Sequence, residues 1–376
     1  MRFGVQLIIV FILSAVLTNC KKETSDILYN KKYIKEIKAA RNEMGLFLTR
    51  NQIPGATVAI SKNGELIYSE GMGLASKDLE VPATRETKFR IGEVSEIFTS
   101  FIYLRMVEDG LLQPDSSIQH YIPDFPEKEF KITLHHLANH VSGFRDPTMN
   151  EKDSRMQNIT LQKGLDIFKE DRILSPPQTY QTINIFEYNL LGAIMEKATN
   201  KKFREILQEY CTDTLKLTNT TIDNPFVTIK GRTNFYNHDI IANIINATFR
   251  DFRYSAPSQG LLSNAEDLVK LGNAILYSDI LSQETKEKIF KTVTLLDNSQ
   301  TNLANGWVII IDKNDDDLYG KKGSIMGGSS SILIYPKYGL VIASATNLLP
   351  NNESAPVFEM AEYFIDQETD KKETKE

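Results

Sequence analysis

The chain has few of the residues and patterns that mark disulfide scaffolds, nucleic-acid binders or metal sites. It contains two cysteines and one tryptophan in 376 residues, and its formal net charge is −6. No basic patch is interleaved with aromatic residues, which argues against a nucleic-acid partner. No Gly-rich phosphate loop occurs, and His135, His136 and His140 lack the spacing of a metal site. We therefore expect no cofactor, no metal and no nucleic acid, and Cys211 is expected to be a buried, inert thiol.

The N-terminus has the composition of an export signal. Arg2 precedes an apolar run over residues 7–17, and Cys20 follows after Thr18 and Asn19. This pattern predicts a bacterial lipoprotein signal over residues 1–19, cleaved before a lipidated Cys20, with a leader over residues 20–32. An ordinary secretory signal and an uncleaved anchor helix are the alternatives. No other run is long and apolar enough to cross a bilayer, so we expect a lipid-anchored protein of the bacterial cell envelope, outside the cytoplasm.

Hydrophobic spacing predicts the order of elements. Residues 34–49 and 94–112 have the helical period, and a last helix is expected around residues 355–365. Two short β-prone runs flank Asn63-Gly64, which is a strong hairpin signal. Further strands are expected at residues 306–311, 329–335 and 340–345. This order predicts an α/β (α+β) domain from residues 33–115 and 254–368, a helical domain inserted at residues 116–253, and a charged tail over residues 369–376.

The stretch from Phe89 to Thr99 carries the most specific motif, Phe-Arg-Ile-Gly-Glu-Val-Ser-Glu-Ile-Phe-Thr. It resembles the segment F-R-I-G-S-x-S-K-x-F-T of the serine beta-lactamase and penicillin-binding-protein family, of the class C type. The resemblance implies a beta-lactamase/transpeptidase-like fold, an antiparallel sheet flanked by helices with an inserted helical domain. It also implies that Glu93 replaces the nucleophilic serine and Glu96 the lysine.

Other blocks resemble the same family in the same order. Residues 132–144, 188–192 and 260–268 are similar to its structural landmarks. The second catalytic motif, Tyr-x-Asn, aligns with Ile183 and Ile185, which would have lost both polar groups. The third, Lys-Thr-Gly, aligns with Lys321-Lys322-Gly323, and the backbone near Ser324 would complete the oxyanion hole.

These positions predict a site without a complete catalytic set. Our hypothesis is that the Glu93 carboxylate faces Lys321 and lies in or near the anion site that an enzyme would use for its intermediate. The simpler alternative is a first-turn acid that only complements the helix dipole. Ser95 cannot substitute as nucleophile, because a helix turns it about 200° away from the Glu93 position. The candidates for lining the ligand cleft are thus Glu93, Glu96, Lys321, Lys322, Gly323 and Ser324.

Three functions follow as hypotheses. The leading one is a non-catalytic homologue whose cleft binds a peptide, a cell-wall fragment or an envelope protein. The alternative is a hydrolase of beta-lactamase, D-Ala-D-Ala peptidase or esterase type with serine-independent chemistry, in which Glu93 or Glu96 activates water. The third is a purely structural partner subunit in the envelope.

Overall fold

The computed structural model describes residues 26–152, 160–312, 315–350 and 353–373. The expected signal over residues 1–19 and the lipidation site Cys20 lie outside these residues and stay predictions. Within the described ranges, no helix is both long and apolar enough for a membrane span.

The strands are numbered in chain order. They are β1 (Ile27–Tyr29), β2 (Gly55–Lys62), β3 (Glu65–Ser76), β4 (Val81–Pro82), β5 (Phe89–Arg90), β6 (Thr221–Ile222), β7 (Tyr236–His238), β8 (Ile244–Asn246), β9 (Leu261–Ser263), β10 (Leu303–Ala304), β11 (Trp307–Ile311), β12 (Asp317–Ile325), β13 (Gly328–Tyr335) and β14 (Leu340–Thr346).

The α-helices are numbered in the same way. They are α1 (Ile34–Arg50), α2 (Ser95–Glu108), α3 (Ile118–Tyr121), α4 (Leu134–Ala138), α5 (Met149–Lys152), α6 (Leu161–Leu165), α7 (Ile185–Thr199), α8 (Phe203–Leu207), α9 (Ala265–Tyr277), α10 (Gln283–Ile289) and α11 (Val357–Glu373). A π-helix spans Gln208–Asp213, and short 3₁₀ turns span Lys31–Tyr33, Gly92–Val94, Arg253–Ser255 and Pro336–Tyr338.

An antiparallel sheet forms the centre of the molecule. Among the described residues its strand order is β1-β3-β2-β14-β13-β12-β11-β10, with β4 paired to β3. The expected hairpin is β2 and β3, and both residues of its turn have positive φ, 52° at Asn63 and 80° at Gly64. Positive φ at both positions is what a two-residue hairpin turn requires. The antiparallel sheet with flanking helices confirms the predicted fold class.

Side chains alternate between the two faces of the sheet along each strand, so a strand contributes apolar residues to both faces. Helices cover both faces. On β2, Val58 and Ile60 pack with α1 and α11 in one apolar core. Ala59 packs in the second core, which also contains α2, α7 and α9. Trp307 and Cys211 are fully buried, as the sequence predicts, and burial raises the pKa of the Cys211 thiol.

The order of helices and strands along the chain agrees with the predicted arrangement of two domains. It does not test the predicted domain boundaries. The main sheet takes its strands from residues 27–82 and 303–346, and the segment between contributes mostly helices. A small three-stranded sheet, β5-β9-β6, joins the two parts. Helix α11 continues through Glu373, into the range expected to be a charged tail.

Candidate functional site

The cleft is built on the turn between β5 and α2. Gly92–Val94 forms a 3₁₀ turn, and Glu93 lies partly exposed within it. Glu96 lies in the first turn of α2 and is fully buried. The Ser95 hydroxyl donates to the Gly92 carbonyl at 2.7 Å and accepts the Leu261 N–H at 3.2 Å. The Ser95 hydroxyl is therefore buried and held by backbone groups, on the other side of the turn from the Glu93 carboxylate, as predicted.

Strand β12 forms the opposite wall. Its alternation buries Lys321 and Gly323 on the side of the turn, whereas Lys322 is exposed and donates to the Ser354 hydroxyl at 2.6 Å. A Cβ atom on Gly323 would lie 1.9 Å from the Ile91 carbonyl oxygen, so only glycine allows this approach. Lys322 therefore belongs to the other face of the sheet, and its expected place in the cleft was wrong.

Glu93 contacts a backbone donor instead of a lysine. One of its carboxylate oxygens accepts the Ser324 N–H at 2.7 Å. The predicted Glu93–Lys321 pair is thus wrong in its partner. The short turn directs Glu93 outward to the end of β12, while Glu96, three residues later, lies beneath it and reaches the lysine first.

Lys321 donates to Glu96 in a buried, charge-assisted hydrogen bond. The same Glu96 oxygen lies 3.3 Å from His140 Nε2, and His140 Nδ1 lies 2.6 Å from Glu187. Ser142 donates to Glu187 through its hydroxyl and, at 3.2 Å, through its backbone N–H. These side chains form a buried array, Lys321–Glu96–His140–Glu187, with alternating charge.

The array shifts the pKa values of its members. Burial works against charge on Glu96, but Lys321 and His140 overcome it and lower the pKa of Glu96. Burial likewise works against a charged His140, yet Glu96 and Glu187 raise its pKa to about 9. For Glu187 burial dominates and raises its pKa.

Glu93 also has a raised pKa. Burial in the cleft wall raises it against the lowering effect of nearby backbone N–H groups. Glu96 raises the pKa of Glu93 further and Lys321 lowers it, both by smaller amounts. A carboxyl with a raised pKa beside a cleft is a typical functional candidate.

His140 and Glu187 are the site residues that sequence reasoning missed, since His140 was considered only as a metal ligand. One local signal could have found Glu187, which interrupts the apolar start of α7, where an acid needs a partner. The φ of 57° at His140, after α4, is visible only in the structure. The array forms only because the fold packs the segments that carry His140 and Glu187 against α2.

Ile183 and Ile185 lie beside Glu93. They line a cavity of about 290 Å³ at the mouth of the cleft, and Ile183 is 48% exposed. The cavity is lined by Glu93, Asp146, Pro147, Ile183, Ile185, Arg250, Phe252, Gln259, Ser324, Ile325, Met326 and Leu349. Its wall is thus mainly apolar, with a few charged groups. No group of residues suited to a metal ion occurs in the described ranges.

Known proteins are similar to this chain in sequence. The family model described as Beta-lactamase matches residues 32–362. Human mitochondrial serine beta-lactamase-like protein LACTB is 27% identical over 324 residues, 68% of this chain and 57% of LACTB. Protein flp of Staphylococcus aureus strain MW2 is 23% identical over 317 residues, 80% of this chain and 61% of flp. The chain therefore spans about three fifths of the curated relatives that it matches.

Solved structures agree on the fold. D-amino acid amidase from Ochrobactrum anthropi SV3, complexed with L-phenylalanine amide, superposes with a TM-score of 0.76 at 19% identity, covering 90% of this chain and 99% of the amidase. The octameric penicillin-binding protein homologue from Pyrococcus abyssi gives 0.72 at 22% identity, covering 83% and 73%. Because the family model covers most of the sequence and the fold agrees with it, the chain belongs to the beta-lactamase family.

Proposed function

We propose that this protein is a non-catalytic member of the beta-lactamase family whose cleft binds a small ligand or the end of a larger one. The ligand would be a peptide, a cell-wall fragment or a segment of an envelope protein. The proposal rests on the chemistry of Glu93, Glu96 and Lys321 and on the cavity beside them.

The Glu93 carboxylate carries the proposal. A serine hydrolase needs a hydroxyl nucleophile and free N–H donors that stabilise the oxyanion of its intermediate. Glutamate has no hydroxyl to form the acyl ester. Its carboxylate also accepts the Ser324 N–H at 2.7 Å, and the resemblance implies that the backbone near Ser324 completes the oxyanion hole.

Glu96 supplies no replacement for the missing base. It is fully buried beneath the turn and is held by Lys321 and His140. Its lowered pKa makes it a weaker proton acceptor than an ordinary glutamate. Lys321, in turn, is committed to Glu96, so neither group is available to move a proton at the cleft.

Ile183 and Ile185 remove the second proton-relay position. Both line the cavity and present only hydrocarbon there. An apolar wall favours ligand binding through burial of hydrocarbon, at about 25 cal/mol per Å². The arrangement thus keeps a binding surface and lacks the groups of an acyl-transfer site.

Exposure of the full chain to a fluorescent penicillin, followed by intact-mass analysis, tests the proposal. We expect no covalent adduct, and no turnover of a chromogenic cephalosporin or of short-chain p-nitrophenyl esters. A stoichiometric adduct or sustained turnover would overturn it.

A hydrolase with altered chemistry is the second candidate, and the raised pKa of Glu93 favours it. A carboxylate with a raised pKa beside a cleft is suited to accept a proton from water. In that case Glu93→Gln would abolish ester or amide turnover, whereas Ser95→Ala, which changes a hydroxyl pointing away from the cleft, would retain it. Absence of turnover across an ester and amide panel rules this candidate out.

The location in the cell envelope rests on the sequence of residues 1–20 alone. If Cys20 carries a lipid, cells labelled with a palmitate analogue will label the protein, and Cys20→Ser will remove the label. Cys211→Ser is the matched control, since Cys211 is buried. Pull-down from detergent-solubilised envelope would separate a structural partner role from binding of a small ligand.

A further inference from the structure

The charges of the site leave one carboxylate without a cation. In the buried array, Lys321 and His140 are paired with Glu96 and Glu187. Each basic group of the array thus has an acidic partner within it. In the described part of the chain, no lysine, arginine or histidine forms a salt bridge with Glu93. The nearby charges of Glu96 and Lys321 act on Glu93 with opposite signs.

The surroundings of Glu93 make this missing cation important. The carboxylate lines a cavity whose walls include Ile183, Ile185, Phe252 and Ile325. Apolar walls weaken solvation of a carboxylate, so a cation that enters gains more from it than in open water. The cavity has a volume of about 290 Å³, so a small ligand fits beside the Glu93 carboxylate.

We infer that the cleft binds a ligand with a primary ammonium group on a small apolar body, with the ammonium at the Glu93 carboxylate. The inference rests on the proposed function, because it names the ligand class of the same cleft. A peptide amino terminus and a free amine share this chemistry, and the experiment distinguishes them.

An anionic ligand fits this site poorly. The Ser324 N–H is already occupied by Glu93 at 2.7 Å, and the cation of the cavity wall, Arg250, already has interactions of its own. The anionic ligand would also meet the negative charge of Glu93 at short distance. A neutral ligand of the same shape would fill the apolar wall and leave Glu93 without a partner.

Glu93 gives the binding a defined pH dependence. Burial raises the pKa of Glu93, so its carboxylate forms over a higher pH range than that of an exposed glutamate. Affinity for an ammonium should therefore increase as pH rises through this range and decrease when the amine itself loses its proton. The other charged groups around the site are Glu96 and Lys321 below Glu93, and Asp146 and Arg250 at the cavity wall.

Calorimetric titration of the full chain in detergent tests the inference with three probes of similar size. These are phenethylamine, 2-phenylethanol and 3-phenylpropionate. We expect phenethylamine to bind at least about tenfold more tightly than the other two, the usual range for a charge-assisted hydrogen bond. The dipeptide Phe-Ala and its N-acetyl form then show whether a peptide amino terminus is accepted.

Variants separate the charge of Glu93 from its shape. Glu93→Gln should reduce phenethylamine affinity about tenfold and remove the increase of affinity with pH that comes from Glu93, since an amide keeps an acceptor and loses the charge. Glu93→Asp should retain a preference for the amine over the alcohol. Glu284→Gln is the matched control, an exposed acid on α10 that does not line the cavity.

Equal binding of amine and alcohol, tighter binding of 3-phenylpropionate, or no binding of phenethylamine would each overturn the inference. An unchanged affinity in Glu93→Gln would do the same. These results leave the proposed absence of catalysis standing. Conversely, acylation by a penicillin would overturn the proposed function while the amine preference could still be measured.

Discussion

Single residues set the character of this site, and Glu96 links its two basic side chains, Lys321 and His140. Its carboxylate is fully buried and one oxygen faces both Lys321 and His140. The other oxygen, Oε1, has no hydrogen-bond donor among the described residues. A buried ion pair of this kind contributes little net stability, but removing one partner is costly because the other stays charged and desolvated.

Glu96→Gln is therefore expected to destabilise the fold by about 3–5 kcal/mol. The reason is that Lys321 and His140 both lose their negative partner. Urea unfolding of the two proteins measures the difference in the free energy of unfolding.

The double variant Glu96→Gln/Lys321→Met is the control for this explanation. It removes the stranded charge, so its loss should be smaller than the sum of the two single losses. Additive losses would show that the pair is not coupled as the contact indicates.

His140 makes stability depend on pH in the alkaline range. Its folded-state pKa is about 9, above the value of 6.5 for an ordinary histidine. Because the folded state holds the proton more tightly, the contribution is complete below pH 6.5 and is lost as pH rises through about 9. The loss should be on the order of 3 kcal/mol, using 1.36 kcal/mol per pKa unit.

Denaturation midpoints measured between pH 6 and pH 10 test this dependence. His140→Asn, which tolerates the left-handed backbone at this position, should remove most of the decrease. His120→Asn, at an exposed histidine on α3, should leave the decrease unchanged. An equal decrease in wild type and His140→Asn would contradict the assigned protonation.

At the scale of elements, the site depends on a close approach between β12 and the 92–94 turn. A Cβ atom on Gly92, whose φ is 53°, would lie 2.7 Å from the Ser324 nitrogen. On the facing strand, a Cβ atom at Gly323 would lie 1.9 Å from the Ile91 carbonyl oxygen. Both glycines are therefore required for the backbone contact that presents the Ser324 N–H to Glu93.

Gly323→Ala should push the turn away from β12 and destabilise the protein by about 1–3 kcal/mol, as overpacking does. The Glu93–Ser324 hydrogen bond should lengthen, so faster exchange of the Ser324 amide hydrogen is expected. Thermal unfolding and hydrogen exchange measure the two effects.

Gly45→Ala is the contrasting substitution. Gly45 lies within α1 and nothing lies within 4 Å of its added Cβ. Alanine there should stabilise the helix by about 0.5–1 kcal/mol. If both substitutions destabilised the protein equally, the close approach would not be the cause.

Elements with strong local signals were predicted well. The helix expected at residues 34–49 is Ile34–Arg50, and the hairpin around Asn63-Gly64 is β2 and β3. The helix expected at residues 94–112 is Ser95–Glu108, preceded by the turn that carries Glu93. The end of α11 was predicted too early, because its charged last turns lack an apolar face that periodicity could detect.

At the scale of the whole molecule, the site joins segments that are far apart in the sequence. Glu93 comes from the 92–94 turn and Glu96 from the start of α2, His140 and Glu187 from the helical middle, and Lys321 from the sheet. The fold thus brings acidic and basic side chains from distant segments into contact. In the array, each charged group depends on its neighbours for an opposite charge. Changing one member without the others should disturb the whole array.

The reverse substitution, Glu93→Ser with Glu96→Lys, tests this dependence. It would place a second lysine against Lys321 and His140 in a buried position, where like charges repel strongly. We expect marked loss of stability and no acylation by a fluorescent penicillin while Ile183 and Ile185 remain.

Glu93→Ser alone is the control, since it leaves the array intact and should fold with nearly wild-type stability. Acylation of the double variant would show that only the reactive pair had changed. Normal stability of the double variant would contradict the view that the array acts as a set.

The sequence by itself determined the fold class, the hairpin and the main helices. These follow from local periodicity and from motifs whose order along the chain is retained. Only the tertiary structure decided the partners: Lys321 with Glu96, Glu93 with the Ser324 N–H, and Lys322 on the other face of the sheet. Which carboxylate reaches the lysine depends on a 3₁₀ turn, on strand alternation and on two close glycine contacts, and sequence spacing alone does not specify these distances.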